Sequence, residues 1–132
     1  MSLRFMLDAD TVSFALRGEG AVGSRLMQQK PSTVCISSIT LAELAFGAAR
    51  RRSPNLNGLI ERFTSSVQVL AFDAAAASRF GDLAASLADA GTPIGDFDTL
   101  LAAHALSSDL TLVTNNLKHF TRIPGLQIEN WL

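Results

Sequence analysis

Cysteine is almost missing from this chain of 132 residues, and the one thiol, Cys35, excludes an intramolecular disulfide framework. It lies in Thr33-Val34-Cys35-Ile36-Ser37, an apolar run that reads as a buried strand in a reducing compartment. Long hydrophobic runs are missing too. No stretch approaches the roughly 18 apolar residues of a membrane helix. Only Phe5-Met6-Leu7 separate Arg4 from Asp8, too few for the apolar region of a signal peptide, so a cytoplasmic protein with no membrane segment is expected. Charge of one sign is not in excess: eleven basic and twelve acidic residues leave a net charge of −1, and a polyanion would have to be captured locally. The chain has no linker, repeat or low-complexity stretch, and 48% hydrophobic with 17% charged residues describes one globular domain over 1–132.

What is present is a series of short apolar runs that end in polar groups. Arg4 to Leu7 reads as a first strand with Asp8 at its carboxyl end, followed by a helix from Asp10 to Leu16 with Asp10 or Thr11 as N-cap, stopped by Gly18 and Gly20. A second short helix covers Ala21 to Gln29. Thr33 to Ser37 is strand two, and a helix from Thr40 to about Arg51 follows, with Leu41, Leu44 and Ala45 on its apolar side. After the turn Ser53-Pro54-Asn55, the spacing of Leu56, Leu59, Ile60 and Phe63 predicts an amphipathic helix. Val67 to Phe72 is strand three. Asp73 then caps an Ala-rich helix with Ala76, Phe80, Leu83 and Leu87 on one side, which Gly91-Thr92-Pro93 ends. A helix from Thr99 to about Leu106, strand four at Leu110 to Val113, a helical turn at Leu117 to Phe120 and a last strand at Leu126 to Ile128 complete the chain. Strands separated by helices give an α/β fold, a parallel sheet covered on both faces.

In such sheets ligands gather beyond the carboxyl ends of the strands. Asp8, Glu43, Asp98 and Asn116 all fall near such ends, and each also has a purely structural explanation. Thr40-x-x-Glu43 is a capping box pattern. Asp98 suits the first turn of its helix, with Asp96 as N-cap, and Asn116 could cap the turn before Leu117. Taken together these explanations weaken, because three acids on one sheet edge repel unless a cation sits among them. Oxygen ligands without paired His or Cys point to Mg²⁺ or Mn²⁺ rather than zinc. His104 shares a helix stripe with Phe97, Leu100 and Leu101 and reads as a packed core histidine. His119 lacks a metal-spaced partner and reads as structural. Arg50, Arg51 and Arg52 could contact phosphate, although a charge run at a helix end is usually a solvated face, which is the favoured reading.

Four separate stretches carry a resemblance that covers essentially the whole chain. Phe5-Met6-Leu7-Asp8, Ile36-Ser37-Ser38-Ile39-Thr40-Leu41-Ala42-Glu43-Leu44, Gly91-Thr92-Pro93-Ile94-Gly95-Asp96-Phe97-Asp98 with Ala102-Ala103-His104-Ala105, and Leu112-Val113-Thr114-Asn115-Asn116 through Asn130-Trp131 resemble the PIN-domain toxins of the VapC type. The resemblance implies an α/β/α sandwich with a mostly parallel sheet of about five strands. It also implies a metal-dependent endoribonuclease held inactive by a VapB-type antitoxin, of a kind that usually forms homodimers. By motif, Asp8, Glu43 and Asp98 would be the catalytic acids that hold Mg²⁺ or Mn²⁺. Thr114 and Asn116 would support them, and Asp96, where such toxins vary, ranks below Asp98. Two positions depart from the pattern: Asp10 replaces the usual Asn, and Asn116 stands where an acid is common. They leave open whether one or two metals bind and whether Asp10 is a ligand or a helix cap.

Two other functions compete. Asp8-Ala9-Asp10-Thr11-Val12 also looks like the opening of haloacid-dehalogenase-type phosphatases, but Asp96 and Asp98 come before Thr114 and Lys118, the wrong order for that family. A non-catalytic PIN-type binding module would keep the acidic pocket and merely hold a basic peptide or RNA. The loss of an acid at Asn116 is its only support.

Overall fold

The computed structural model describes residues 2–132. A five-stranded, wholly parallel sheet has the order β3-β2-β1-β4-β5, with β1 Phe5–Leu7, β2 Val34–Ser37, β3 Gln68–Leu70, β4 Thr111–Val113 and β5 Ile128–Glu129. Side-chain alternation divides the core. Phe5, Leu7, Val34, Ile36 and Val113 pack on one face against α1 (Ala9–Arg17), α2 (Val22–Met27), α3 (Ser38–Arg51) and α4 (Pro54–Ser66). Met6, Cys35 and Leu112 pack on the other face, toward α5 (Ala74–Asp89) and α6 (Asp96–Ser107). Cys35 is buried, and burial pushes its thiol up to about 12. The end of the chain is pinned by Trp131, whose ring meets Phe5 edge-on at 5.0 Å and whose indole N–H donates to Glu129 at 2.9 Å. No helix among the described residues is long and apolar enough to cross a membrane.

The strand order explains where a site can form. The chain adds β2 and then β3 on one side of β1, then crosses to add β4 and β5 on the other. The carboxyl end of β1 is therefore the point where the connections diverge and a crevice opens. Asp8 is the residue that stands there.

Several expected boundaries move, each for a local reason. Asp8 itself, not Asp10 or Thr11, is the N-cap of α1: its carboxylate accepts the Thr11 amide at 2.8 Å, and the helix begins at Ala9. Helix α3 starts two residues before the expected Thr40, because the Ser37 hydroxyl accepts the Ile39 amide at 3.0 Å. The capping box at Thr40 and Glu43 does not form, and the Thr40 hydroxyl is buried without a hydrogen-bond partner among the described residues. Helix α6 starts at Asp96 rather than Thr99, and its N-cap is Gly95, not Asp96. Gly95 reaches φ 92°, a conformation that side chains rarely adopt. Phe97 is not on the buried stripe of α6; it is 54% exposed. The last strand is Ile128–Glu129, slightly later than expected.

Candidate active site

Asp8, Ala9, Asp10, Glu43, Asp98, Leu101 and Asn116 line one small recess of about 40 Å³ at the carboxyl end of β1. Four elements deliver the polar groups: the end of β1 and start of α1 bring Asp8 and Asp10, α3 brings Glu43, α6 brings Asp98, and the loop after β4 brings Asn116. The sequence-derived acids Asp8, Glu43 and Asp98 thus meet across ninety residues of chain. Asp96 is exposed and does not line the recess.

Asp8 is the most enclosed acid, 7% exposed. Burial raises its pKa above the ordinary value, while hydrogen bonds from Thr114 and Thr11 pull it down and the charge of Asp10 pushes it up again. Thr114 is completely buried and also accepts the Asn116 amide at 2.9 Å, so one hydroxyl ties Asp8 to the loop after β4. Glu43 is partly buried, and its pKa is pushed up to about 7 by burial and by the charges of Asp98, Asp8 and Asp10. Among the described residues no three His, Cys, Asp or Glu side chains already stand as a closed metal-ligating cluster; the carboxylates rim the recess rather than converge. The donor set still fits a hard divalent cation, since four carboxylates line one water-sized recess and Glu43 is raised by burial and by the charges of the other three.

Asn116 is the N-cap residue of α7 (Leu117–Phe120), yet its side chain makes no capping bond. The amide instead donates to Asp98 Oδ2 at 3.0 Å. His119, which sequence spacing left as a structural residue, places Nδ1 2.8 Å from the same oxygen. Its signal in the sequence was the spacing Asn116-x-x-His119, which puts both side chains on one side of a helical turn. His104 behaves as expected of a core residue: it is 1% exposed, its Nδ1 lies 2.8 Å from Ser37 Oγ, and its ring meets Phe72 edge-on at 5.3 Å.

A second hollow adjoins the first. A groove of about 240 Å³ between α1, α3 and α4 shares Asp10 and Glu43 with the recess and continues over Leu44, Leu56, Leu59 and Ile60 to Arg17 and Arg51. Arg50, Arg51 and Arg52 are exposed at the end of α3, and only Arg51 of the three lines the groove.

Helices on both faces of a parallel sheet, with acids gathered at the strand-order divergence, define an α/β protein with an acidic ligand site; comparison with known proteins gives its kind. The PIN domain family model matches residues 6–126. A curated relative from Salmonella typhimurium, the tRNA(fMet)-specific endonuclease VapC, is 43% identical over 130 residues, 98% of each chain. Ribonuclease VapC2 of Haemophilus influenzae is 37% identical over 98% of this chain and 99% of its own. Among solved structures, DNA-bound VapBC from Salmonella typhimurium superposes with a TM-score of 0.92 at 42% identity, covering 98% of this chain and 99% of that one. VapBC2 from Rickettsia felis, bound to a DNA fragment from its promoter, superposes with a TM-score of 0.89 at 32% identity, covering 98% and 100%. The chain belongs to the PIN-domain family, among its VapC ribonucleases.

Proposed function

We propose that this chain is the toxin of a type II toxin–antitoxin pair, a metal-dependent endoribonuclease that hydrolyses RNA phosphodiester bonds with water. One observation carries the metal-dependent part: Asp8, Asp10, Glu43 and Asp98 share one small recess, where burial and the charges of the other three lift Glu43 to about 7. Asp8, Glu43 and Asp98 would hold Mg²⁺ or Mn²⁺. When bound, the cation offsets charge on the scissile phosphate and makes water a better nucleophile at neutral pH.

The chain's own groups supply the rest. Asp8 is held in place by the Thr11 amide and the Thr114 hydroxyl, so its carboxylate faces the recess without free rotation. Glu43, with its pKa near neutrality, can hold or release a proton at its carboxylate as the charge around it changes. Thr114 and Asn116 orient the carboxylates. No side-chain nucleophile is needed. Attack by water leaves 5′-phosphate and 3′-hydroxyl ends.

The partner reading rests on the groove. An antitoxin of the VapB type would lay a C-terminal segment over the apolar floor beside α4 and put an arginine against Asp8 or Asp98, where Asp10 and Glu43 join groove and recess. The working form is a cytoplasmic homodimer of this PIN domain. Arg50, Arg51 and Arg52 are the weakest part of the RNA reading, since their exposure also suits a solvated helix end.

The name of the Salmonella relative makes tRNA(fMet) the first substrate to test. The antitoxin-free protein is expected to cleave RNA with Mg²⁺ or Mn²⁺ and to stop in excess chelator. Asp8→Asn and Asp98→Asn are each expected to abolish cleavage in a folded protein. Undiminished cleavage in chelator would sink the metal mechanism.

A further inference from the structure

We propose that His119 is a positioning residue for Asp98: by donating to one carboxylate oxygen it leaves the other presented to the recess and sets the affinity for the divalent cation. The inference rests on the nuclease reading above, but concerns a residue outside its acids.

Asp98 Oδ2 receives the Asn116 amide at 3.0 Å and lies 2.8 Å from His119 Nδ1. The two nitrogens are themselves 2.9 Å apart. An Asn side-chain nitrogen carries only donors, so a hydrogen bond between the two nitrogens would require a lone pair on Nδ1. That lone pair would then face the lone pairs of Asp98 at 2.8 Å, a repulsive contact. The arrangement that satisfies all three groups has the proton on Nδ1, so that His119 and Asn116 are side-by-side donors to one acceptor. The backbone holds this geometry. Asn116 and His119 are three residues apart on the turn of α7, and that turn is anchored by Phe120, 1% exposed in the core beneath α6.

The need for such a clamp follows from the charges around it. Asp98 shares its recess with Asp8, Asp10 and Glu43, and repulsion alone would swing a lone carboxylate toward solvent. Two donors on Oδ2 oppose that swing. Hydrogen bonds to ligating groups of this kind are commonly worth about 10-fold or more in metal affinity.

The test is a calorimetric Mn²⁺ titration of the full chain and three variants, with a thermal melt of each. His119→Ala and His119→Leu are expected to raise the Kd for Mn²⁺ about tenfold. Leu keeps the bulk, so a packing defect in the alanine variant does not obscure the result. His119→Asn is expected to restore most of the affinity, because its amide nitrogen can occupy the place of Nδ1. Wild-type affinity in the Ala and Leu variants would overturn the inference, and so would an Asn variant as weak as Leu. A wild type that binds no Mn²⁺ would instead remove the metal-dependent nuclease reading, which separates the two failures.

Discussion

The two ends of the sheet bury different kinds of side chain. At the amino end the strands begin among apolar residues, and the buried hydroxyl of Thr33 is satisfied by the Lys30 carbonyl at 2.7 Å. At the carboxyl end Asp8, Thr11, Ser37, Thr40 and Thr114 are all buried, Thr40 lacks a partner among the described residues, and Glu43 is lifted to about 7 by burial and by its charged neighbours. Physically, the first end is arranged for stability. The second accepts unpaired and mutually repelling groups, the mark of a site whose balance is completed by something that binds. Substitutions should therefore act in opposite directions at the two places.

The largest effect is expected inside the apolar layer that both ends share. Leu112, fully buried in β4 against the α6 face, should cost about 3 kcal/mol as Leu112→Ala, or about 10 °C in Tm. A Tm within two or three degrees of wild type would show that the layer is looser than its burial implies. His104 is the intermediate case, a polar group inside that layer. Burial lowers its pKa, with Asp73 and the backbone of Ala71 opposing, so it sits neutral against Ser37 and Phe72. His104→Gln should lose about 2 kcal/mol and leave turnover per folded molecule unchanged. A variant of native Tm without activity would move His104 into the machinery.

Much of this division was legible in the sequence. The apolar runs Arg4 to Leu7 and Thr33 to Ser37 were readable as strands, though not the face each residue takes, and the strand-end acids Asp8, Glu43 and Asp98 line one recess. Helix starts were harder to read, because capping residues come in clusters. Asp8, Asp10 and Thr11 all qualify before α1, and Ser37, Ser38 and Thr40 all qualify before α3, so three-dimensional context chooses among them. His119 was missed for a different reason. Its partner Asp98 is 21 residues away, and the local spacing Asn116-x-x-His119 pairs it with Asn116 without pointing to that acid.

At the carboxyl end the sign should reverse. Glu43 titrates at about 7 in the folded protein against an ordinary 4.5, so the folded state favours its protonated form. The associated stability is complete below about 4.5 and is lost as pH rises through about 7. Glu43→Gln removes the titration. In metal-free buffer the variant and wild type should melt alike near pH 4.5, and the variant should melt higher at about pH 8. Because Glu43 is only partly buried, screening limits the difference to about 1 kcal/mol, or about 3 °C. Mn²⁺ should reverse the order, stabilising the wild type more. Equal melting curves across this range would mean that the repulsion is relieved by solvent alone.

The smallest effect is expected at Asp10, an exposed residue that helix and recess share. Asp10 does not cap α1, since Asp8 holds that place, but it lines both the recess and the groove. As a first-turn acid it gains about 0.5 kcal/mol from the helix dipole. It also raises the pKa of both Asp8 and Glu43, so its charge opposes theirs. Asp10→Asn removes both contributions, which offset each other, and Tm should stay within about 2 °C of wild type. Affinity for Mn²⁺ has no such cancellation. Losing one carboxylate from the rim should weaken it about threefold, roughly 0.7 kcal/mol, the scale of an exposed charge pair, with Asn116→Asp partly restoring it. A cap would give the opposite result, because Asn caps as well as Asp and would leave affinity unchanged. Unchanged affinity in Asp10→Asn would therefore confine Asp10 to the helix, and a loss far above tenfold would make it a direct ligand.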